Sequence, residues 1–423
     1  MFKAPRGTAD LLPPDQKYWR YVEQAASRVC RRFGFQRIDT PTFESSGLFI
    51  RGVGEQTDIV QKEMYVFDDR GGDPLTLRPE GTASVCRAFL EHGMSNLPQP
   101  VRLYYFCPIF RYERPQAGRF REHHQFGIEA IGDGDPTVDA EVIQLGWSYT
   151  QELGLRNLSL VVNSIGDAAC RPGYLIALKD YYRQHLAHLC QDCQNRYERN
   201  PLRLLDCKQE RCQPYIGNAP KSADHLCDAC KEHWTRLLRY LDLLGIPYQT
   251  SHRLVRGLDY YTRTVFEIQP PEEGGQSTLL GGGRYDGLIQ ELGGPPTPGI
   301  GFGSGIERMA LNLKRQEVSV PDISPRPVII VHNGEQAKAH GVVLADRLRK
   351  AGLTATLAPA QRSLRAQMRY ASSVSARFAL VIGDDELAKN AASVRDMDSA
   401  SQEEVPEHEL AAYLAAKVSL SSV

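Results

Sequence analysis

Tyr105-Phe106-Cys107-Pro108-Ile109-Phe110-Arg111-Tyr112-Glu113, then the loop Arg114-Pro115-Gln116-Ala117-Gly118-Arg119, then a return over 121–131, decide the fold of this 423-residue chain. Apolar residues alternate with period two from Val101 to Ile131, which predicts a long antiparallel hairpin. On the return strand Gln125, Gly127 and Glu129 share one face. Gly127 has no side chain, so a ligand has room between the polar groups on either side. Arg111 on the facing strand suits a bidentate clamp on phosphate or carboxylate. Arg102, Arg111, Arg114, Arg119 and Arg121 make this the densest arginine cluster of the sheet region. A solvated hairpin with surface arginines is the alternative reading.

Three segments elsewhere share this character. Thr76-Leu77-Arg78-Pro79-Glu80-Gly81-Thr82 leads into a helix, where Glu80 and Thr82 either hold an ammonium group or cap the helix. Arg256-Gly257-Leu258-Asp259-Tyr260-Tyr261 sets a cation beside two tyrosines, as a ligand site or as a turn with an ion pair. Gly299-Ile300-Gly301-Phe302-Gly303-Ser304-Gly305-Ile306-Glu307-Arg308 strips one strand face of side chains just before a helix. That pattern admits a flat ligand, or it serves tight strand–helix packing. Neither a Gly-x4-Gly-Lys loop nor a Gly-x-Gly-x-x-Gly turn is present. A nucleotide site built from these segments must therefore hold its phosphates with arginines on an antiparallel sheet.

Nearer the N-terminus, Tyr18, Val22, Ala25, Ala26, Val29 and Phe33 recur at helical spacing after Pro13-Pro14, and Gly34 ends the pattern. The text from 169 to 245 is helical, charged and rich in cysteine. Pro321, Pro325 and Pro327 mark a linker. Beyond it, strand-like Val328-Ile329-Ile330-Val331 and helix-like 337–351 open an alternation typical of a small α/β domain. The expected organisation is a sheet domain over 1–168 and 251–317, a helical insertion over 169–250, a linker over 318–326 and an α/β domain over 327–423. Lys plus Arg number 50 against 51 Asp plus Glu, a net charge of -1, which excludes nucleic-acid binding by bulk charge alone. No apolar run approaches the roughly 18 residues of a membrane span, and Met1 to Arg6 has no signal-peptide core, so a cytoplasmic location is expected. Ten cysteines are then expected to be reduced, buried or metal-bound. Cys190, Cys193, Cys227 and Cys230 form two C-x2-C pairs. A single four-cysteine zinc site and a metal-free set of thiols both remain open.

With these segments in view, the chain resembles the histidyl-tRNA synthetases of class II. The residues 37–44, Arg-Ile-Asp-Thr-Pro-Thr-Phe-Glu, resemble motif 1, which in this class builds a dimer interface. Phe110 through Glu129 resemble motif 2 and its loop, and Gly301 through Arg308 resemble motif 3, with Gly303 where alanine is common. Arg256 through Tyr261 and Gly281-Gly282-Gly283-Arg284-Tyr285-Asp286-Gly287 are similar to the two histidine-specific signatures. The fold this implies is α/β (α+β): an antiparallel-sheet catalytic core with a helical insertion, plus a C-terminal α/β anticodon-binding domain.

The resemblance also implies roles. Arg111 and Arg256 would act at the α-phosphate of ATP as the catalytic pair, with Arg308 on the γ-phosphate, Glu113 and Arg119 completing the ATP site, and Mg²⁺ bridging the outer phosphates. Glu80, Gly81, Thr82 and Gln125 would hold the ammonium and carboxylate end of L-histidine, and Glu129, Tyr260, Tyr261 and Tyr285 would read its imidazole. Arg114, Gln116 and Arg121 would meet the acceptor end of tRNA(His). The C-terminal domain would meet the anticodon; Arg362, Arg365 and Arg369, three and four apart with Arg377 beyond, suit that contact or a solvated helix face equally. The partners implied are histidine, ATP, tRNA(His) and a second copy of the chain, with no membrane. The rival is a synthetase-like regulatory subunit that senses histidine without charging tRNA. The proposal requires Arg111, Arg256 and Glu129 to converge on one cavity.

Overall fold

The computed structural model describes residues 2–55, 57–113, 120–271, 278–322 and 326–419. It comprises two units, Met1–Pro321 and Asp322–Val423. The first is built on eight strands: β1 (Gln36–Arg37), β2 (Val101–Phe110), β3 (Glu122–Ile131), β4 (Ser159–Ser164), β5 (Tyr248–Thr250), β6 (Thr262–Gln269), β7 (Leu280–Arg284) and β8 (Gly299–Gly305). Their order is β1-β2-β3-β8-β7-β6-β4-β5. The six strands from β2 to β4 in that order are antiparallel, and β1 and β5 join the two edges in parallel. The hairpin forms as period two requires, with Val101 opposite Ile131 and Phe110 opposite Glu122.

Both faces of this sheet are covered, for different reasons. Tyr104, Phe126, Ile128, Ala130, Phe266 and Phe302 point to one side. There they meet the helices Pro13–Arg32, Pro136–Glu152 and Ile306–Arg315. The first of these helices starts on Pro13-Pro14, which suit an N-terminus, carries Asp15 in its first turn, and ends in Arg31 and Arg32, matching the helix dipole. Its stripe Val22, Ala25, Ala26, Val29 and Cys30 is fully buried. Gly34 leaves the helix at a φ of +75°. The opposite sheet face carries Tyr105, Cys107 and Ile109 across from Gln125 and Gly127, and this is the face of the site.

The insertion has the helices Arg171–Arg183, Gln191–Arg199 and Gln213–Gly217 linked by 3-10 turns. Its end differs from the expected 250. Tyr248–Thr250 is sheet strand β5, and the helix Asp228–Leu243 buries Leu237 and Leu241 in the main core against Pro136–Glu152. Nor does the insertion have a core of its own. Tyr174, Leu178 and Tyr182 share one cluster with Val85, Phe89 and Ile109 of the sheet domain.

The second unit is a five-stranded sheet in the order Ala355–Leu357, Val328–His332, Phe378–Ile382, Ala391–Asp396, Gln402–Pro406. The first three strands are parallel and the last two antiparallel. The helices Glu335–Lys350 and Leu364–Ser373 connect the parallel strands, as the alternation predicts. The unit boundary falls inside the expected linker, but Val318 and Val320 still pack on the first core.

Candidate active site

The hub of the site is Glu129, only 1% exposed. Its Oε1 accepts from Thr82 Oγ1 at 2.8 Å and from the Tyr105 hydroxyl at 3.0 Å, and its Oε2 accepts from the Tyr285 hydroxyl at 2.6 Å. Burial pushes the Glu129 carboxyl up to about 8. Hydrogen bonds from Tyr285, Thr82 and Tyr105 resist that rise, while the neighbouring charge of Glu80 adds to it. Glu80 is raised by the same desolvation, opposed by the amides of Ala83 and Thr82 and by Arg111. Its two oxygens accept from Thr82 N and Ala83 N, each at 2.7 Å, so Glu80 caps the helix Thr82–Glu91. Tyr260 donates to Glu80 at 3.4 Å and packs edge-on against Tyr285 at 5.9 Å.

The space above Gly127 is not open for a ligand, contrary to the expectation from sequence. Tyr105 lies directly opposite Gly127 in the hairpin register, and a Cβ there would sit 2.3 Å from the ring. Glycine is required here because the tyrosine leans across it to reach Glu129. A similar close approach governs Gly301, whose Cβ would lie 2.1 Å from Glu129 Oε2, while Gly299 and Gly303 lie beneath Tyr285 and Gln125. The alternating glycines are thus the floor on which the site's side chains rest.

Beside this hub is a cavity of about 320 Å³. Arg111, Glu113, Gln125, Arg256, Glu267 and Arg308 are among its walls. Arg111 is anchored by an Nε bond to the Pro79 carbonyl at 2.7 Å, and Arg308 donates to the Thr278 carbonyl at 3.1 Å. Arg256 forms an ion pair with Glu267 and lies 5.7 Å from the centre of the Tyr261 ring. Glu129 does not line this cavity. It sits behind, joined through Tyr105 to Gln125, whose amide donates to the Tyr105 hydroxyl at 3.2 Å. The expected convergence therefore splits into an arginine-lined chamber and a buried carboxylate hub sharing Gln125. Arg121 is not among the lining residues, because its guanidinium stacks 3.9 Å over the Tyr112 ring. Arg114, Gln116 and Arg119 lie outside the described residues.

Several site residues escaped the sequence reading. Tyr105 could have been found by counting the hairpin register back from the turn. Glu267 carries no local signal, and only its place opposite Gly281 in the sheet brings it to Arg256. His123 lines the cavity and is held down to about 3, by burial first and then by the charges of Arg111, Arg308 and His124, so its ring stays neutral. Glu307 also lines it, accepting from the His124 amide at 2.8 Å. Arg284 is fully buried, donating to Asp139 at 2.7 Å and to Asp286 at 2.9 Å, and it locks the strand end from which Tyr285 projects.

The single four-cysteine set that the spacing left open, Cys190, Cys193, Cys227 and Cys230, is not brought together. Cys190 and Cys193 gather with Cys207 and Cys212, whereas Cys227 and Cys230 gather with Asp167 and Cys170. The reason is that each C-x2-C pair starts a different helix, Gln191–Arg199 and Asp228–Leu243. In the second unit, Arg362, Arg365 and Arg369 are exposed, but Arg377 is paired with Asp396 at 2.6 Å.

A family model described as histidyl-tRNA synthetase matches residues 7–309 of this chain, and one described as an anticodon binding domain matches 327–417. The chain belongs to the histidyl-tRNA synthetase family. Within that family, the histidine–tRNA ligase of Dehalococcoides mccartyi (strain 195) is 55% identical over 406 residues, covering 96% of this chain and 97% of the relative. The histidine–tRNA ligase of Desulforamulus reducens is 49% identical over 413 residues, 98% and 99% of the two chains. The crystal structure of apo histidyl-tRNA synthetase from S. aureus is similar with a TM-score of 0.82 at 40% identity, covering 98% and 99%. The family's antiparallel core and its anticodon-binding domain are both present here. No helix among the described residues is long and apolar enough to cross a membrane.

Proposed function

We propose that the chain is a histidine–tRNA ligase, joining L-histidine to ATP as histidyl-adenylate and then charging tRNA(His). The observation that carries this reading is a buried, multiply hydrogen-bonded carboxyl group beside a chamber walled by Arg111, Arg256 and Arg308. The carboxylate oxygen of histidine attacks the α-phosphorus, and the bond to the leaving pyrophosphate breaks. Negative charge develops on phosphate oxygens, so catalysis rests on placement and fixed cations. Arg111 and Arg256 take the α-phosphate, and Arg308 takes the far end of the triphosphate. The pinned geometry of Arg111 and Arg308 favours this, since a preorganised donor needs no reorganisation during reaction.

Glu129 reads the imidazole, with Tyr261 and Tyr285 beside it. A ligand without the ring N–H leaves buried polar groups unpaired, a penalty that reaches roughly 10⁴–10⁵ in discrimination. Glu80 uses one acceptor position on each oxygen for its cap. A carboxylate offers about four, so it still accepts the substrate's ammonium together with Thr82 and Gln125. Mg²⁺ suits the chamber's donors: Glu113 and Glu307 supply carboxylate oxygens, and among the described residues Glu307 Oε2 is buried with no hydrogen-bond partner. The ion would neutralise charge on the outer phosphates.

In the transfer step a ribose hydroxyl of the tRNA's terminal adenosine attacks the acyl carbon of histidyl-adenylate, the bond to phosphate breaks and AMP leaves, with the anticodon met by the exposed Arg362, Arg365 and Arg369. Two subunits are proposed as well. Phe43, at the end of the motif 1 segment, and Val66 and Phe67 lie on a separate three-stranded sheet in the order Phe43–Ser45, Pro74–Leu77, Tyr65–Asp68, and these exposed apolar residues are what a second copy would cover. A cytoplasmic location accords with these substrates. ATP–pyrophosphate exchange with each amino acid in turn, followed by charging of tRNA(His), tests the reading. Exchange driven by histidine alone is expected. Exchange without charging would favour the regulatory rival, and exchange with another amino acid would refute the imidazole pocket.

A further inference from the structure

Seven cysteines of the insertion and Asp167 at its edge fall into two compact tetrads. In the first, the sulfurs of Cys190, Cys193, Cys207 and Cys212 all lie within 4.8 Å of one another, and those of Cys190 and Cys207 are 3.8 Å apart. Four thiolates at zinc's bond length of about 2.3 Å stand about 3.8 Å from each other in a tetrahedron. A disulfide would require about 2.05 Å. Three of the four cysteines are buried. Backbone amides already point at the sulfurs, Cys190 N to Cys212 Sγ at 3.2 Å and Gln209 N to Cys207 Sγ at 3.4 Å. Such outer donors orient metal ligands and offset thiolate charge.

In the second tetrad an Asp167 carboxylate oxygen and the sulfurs of Cys170, Cys227 and Cys230 also lie within 4.8 Å of one another. Asp167 Oδ1 is 3.6 Å from Cys170 Sγ and 4.0 Å from Cys227 Sγ. The aspartate is oriented from outside by Ala169 N at 3.0 Å and Arg263 at 3.3 Å, and its own amide donates to Cys170 Sγ at 3.4 Å. Cys190 and Cys227 each stand at the start of a helix, with the second cysteine of the pair in its first turn. The positive end of each helix favours a thiolate there.

We infer that the chain binds two structural zinc ions, one on Cys190, Cys193, Cys207 and Cys212 and one on Asp167, Cys170, Cys227 and Cys230. The second ion ties the beginning of the insertion to its end. The first closes a loop whose Asn200 donates to Asp259 at 2.9 Å, and Arg171, next to Cys170, donates to the Tyr261 carbonyl at 2.5 Å. Both ions thus brace the 256–263 segment. The metal assignment stands without the proposed activity; only its kinetic consequence rests on that reading.

Metal analysis and native mass spectrometry of full-length protein purified without chelator are expected to find two zinc ions per chain. Cys207→Ser and Cys227→Ser should each leave one ion, and the double variant none. Should the variants fail to fold, the wild-type count alone decides. No zinc with free or disulfide-paired cysteines, a single zinc, or iron in its place would overturn the assignment. Stripping zinc with a strong chelator should raise KM for histidine about tenfold, reversed by zinc, and should open the insertion to protease. Unchanged KM and protease resistance in stripped protein would overturn the bracing role. Loss of histidine-dependent exchange in fully zinc-loaded wild type would instead count against the catalytic reading and leave the metal sites standing.

Discussion

Replacing Arg256 by alanine separates two electrostatic effects that the structure ties together. The guanidinium is the expected donor to the α-phosphate, and removing such a preorganised donor costs about 2.7–4 kcal/mol of transition-state stabilisation, roughly 10²–10³ in rate. The same guanidinium neutralises Glu267 in the chamber wall. In the variant Glu267 stays in place, because Thr278 Oγ1 at 2.8 Å and Gln269 Nε2 at 2.9 Å still hold its other oxygen. A carboxylate about 6 Å from a phosphate oxygen, at an effective dielectric near 20, repels it by ~2–3 kcal/mol. Arg256→Ala should therefore lose about 10⁴-fold or more in kcat/KM for pyrophosphate exchange while remaining folded. Adding Glu267→Gln should return about 30–100-fold of that loss, since it removes the stranded charge and keeps the shape. Exchange at saturating histidine with varied ATP, beside thermal melts, reads both effects. Near-normal exchange in the single variant would refute the phosphate role of Arg256. A double variant no faster than the single one would refute the electrostatic account of Glu267.

Glu129 predicts a pH dependence of stability. The folded state holds its proton up to about pH 8, whereas the unfolded chain releases it near 4.5, so this contribution is full at low pH and falls as pH rises between those values, by up to ~4–5 kcal/mol. Glu129→Gln should flatten urea-denaturation stability between pH 5 and 8, and parallel curves for the two proteins would contradict the burial argument. Gly301→Ala would place a methyl 2.1 Å from Glu129 Oε2 and 2.2 Å from the Ile128 carbonyl, costing about 1–3 kcal/mol. It should raise KM for histidine more than for ATP, and equal effects on the two would count against Glu129 as the imidazole reader. Arg284→Ala strands Asp139 in a fully buried position and should destabilise the fold by about 3–5 kcal/mol in denaturant titration. A loss under 1 kcal/mol would show that the pair is not the lock described.

The parts of the site that could be read in advance were those governed by neighbours in the chain. Period two put Gln125, Gly127 and Glu129 on one face, and the structure keeps them there. The same logic misjudged Gly127, because a missing side chain reads equally as space for a ligand and as space for another residue. The decision lay with Tyr105, 22 positions away in sequence but directly across the ladder. The choice left open at the cysteine pairs was beyond the sequence for a related reason. Spacing describes how ligands enter a helix, not which helices meet, and here two pairs were drawn to different partners. The insertion's end was misplaced because helical text continues through 228–243 without revealing that its apolar stripe joins the main core.

Local sequence was enough for the antiparallel hairpin, the opening helix, the alternation of the second unit and the family signatures, since backbone geometry repeats over a few residues and leaves a periodic trace. Tertiary structure alone decided that Glu267 neutralises Arg256, that the carboxylate hub sits behind the arginine chamber, and that Asp167 joins three cysteines. Arg256 and Glu267 are 11 positions apart, Asp167 and Cys230 63, and Glu129 and Tyr285 156, and no periodicity links residues whose proximity is set by how separate elements pack.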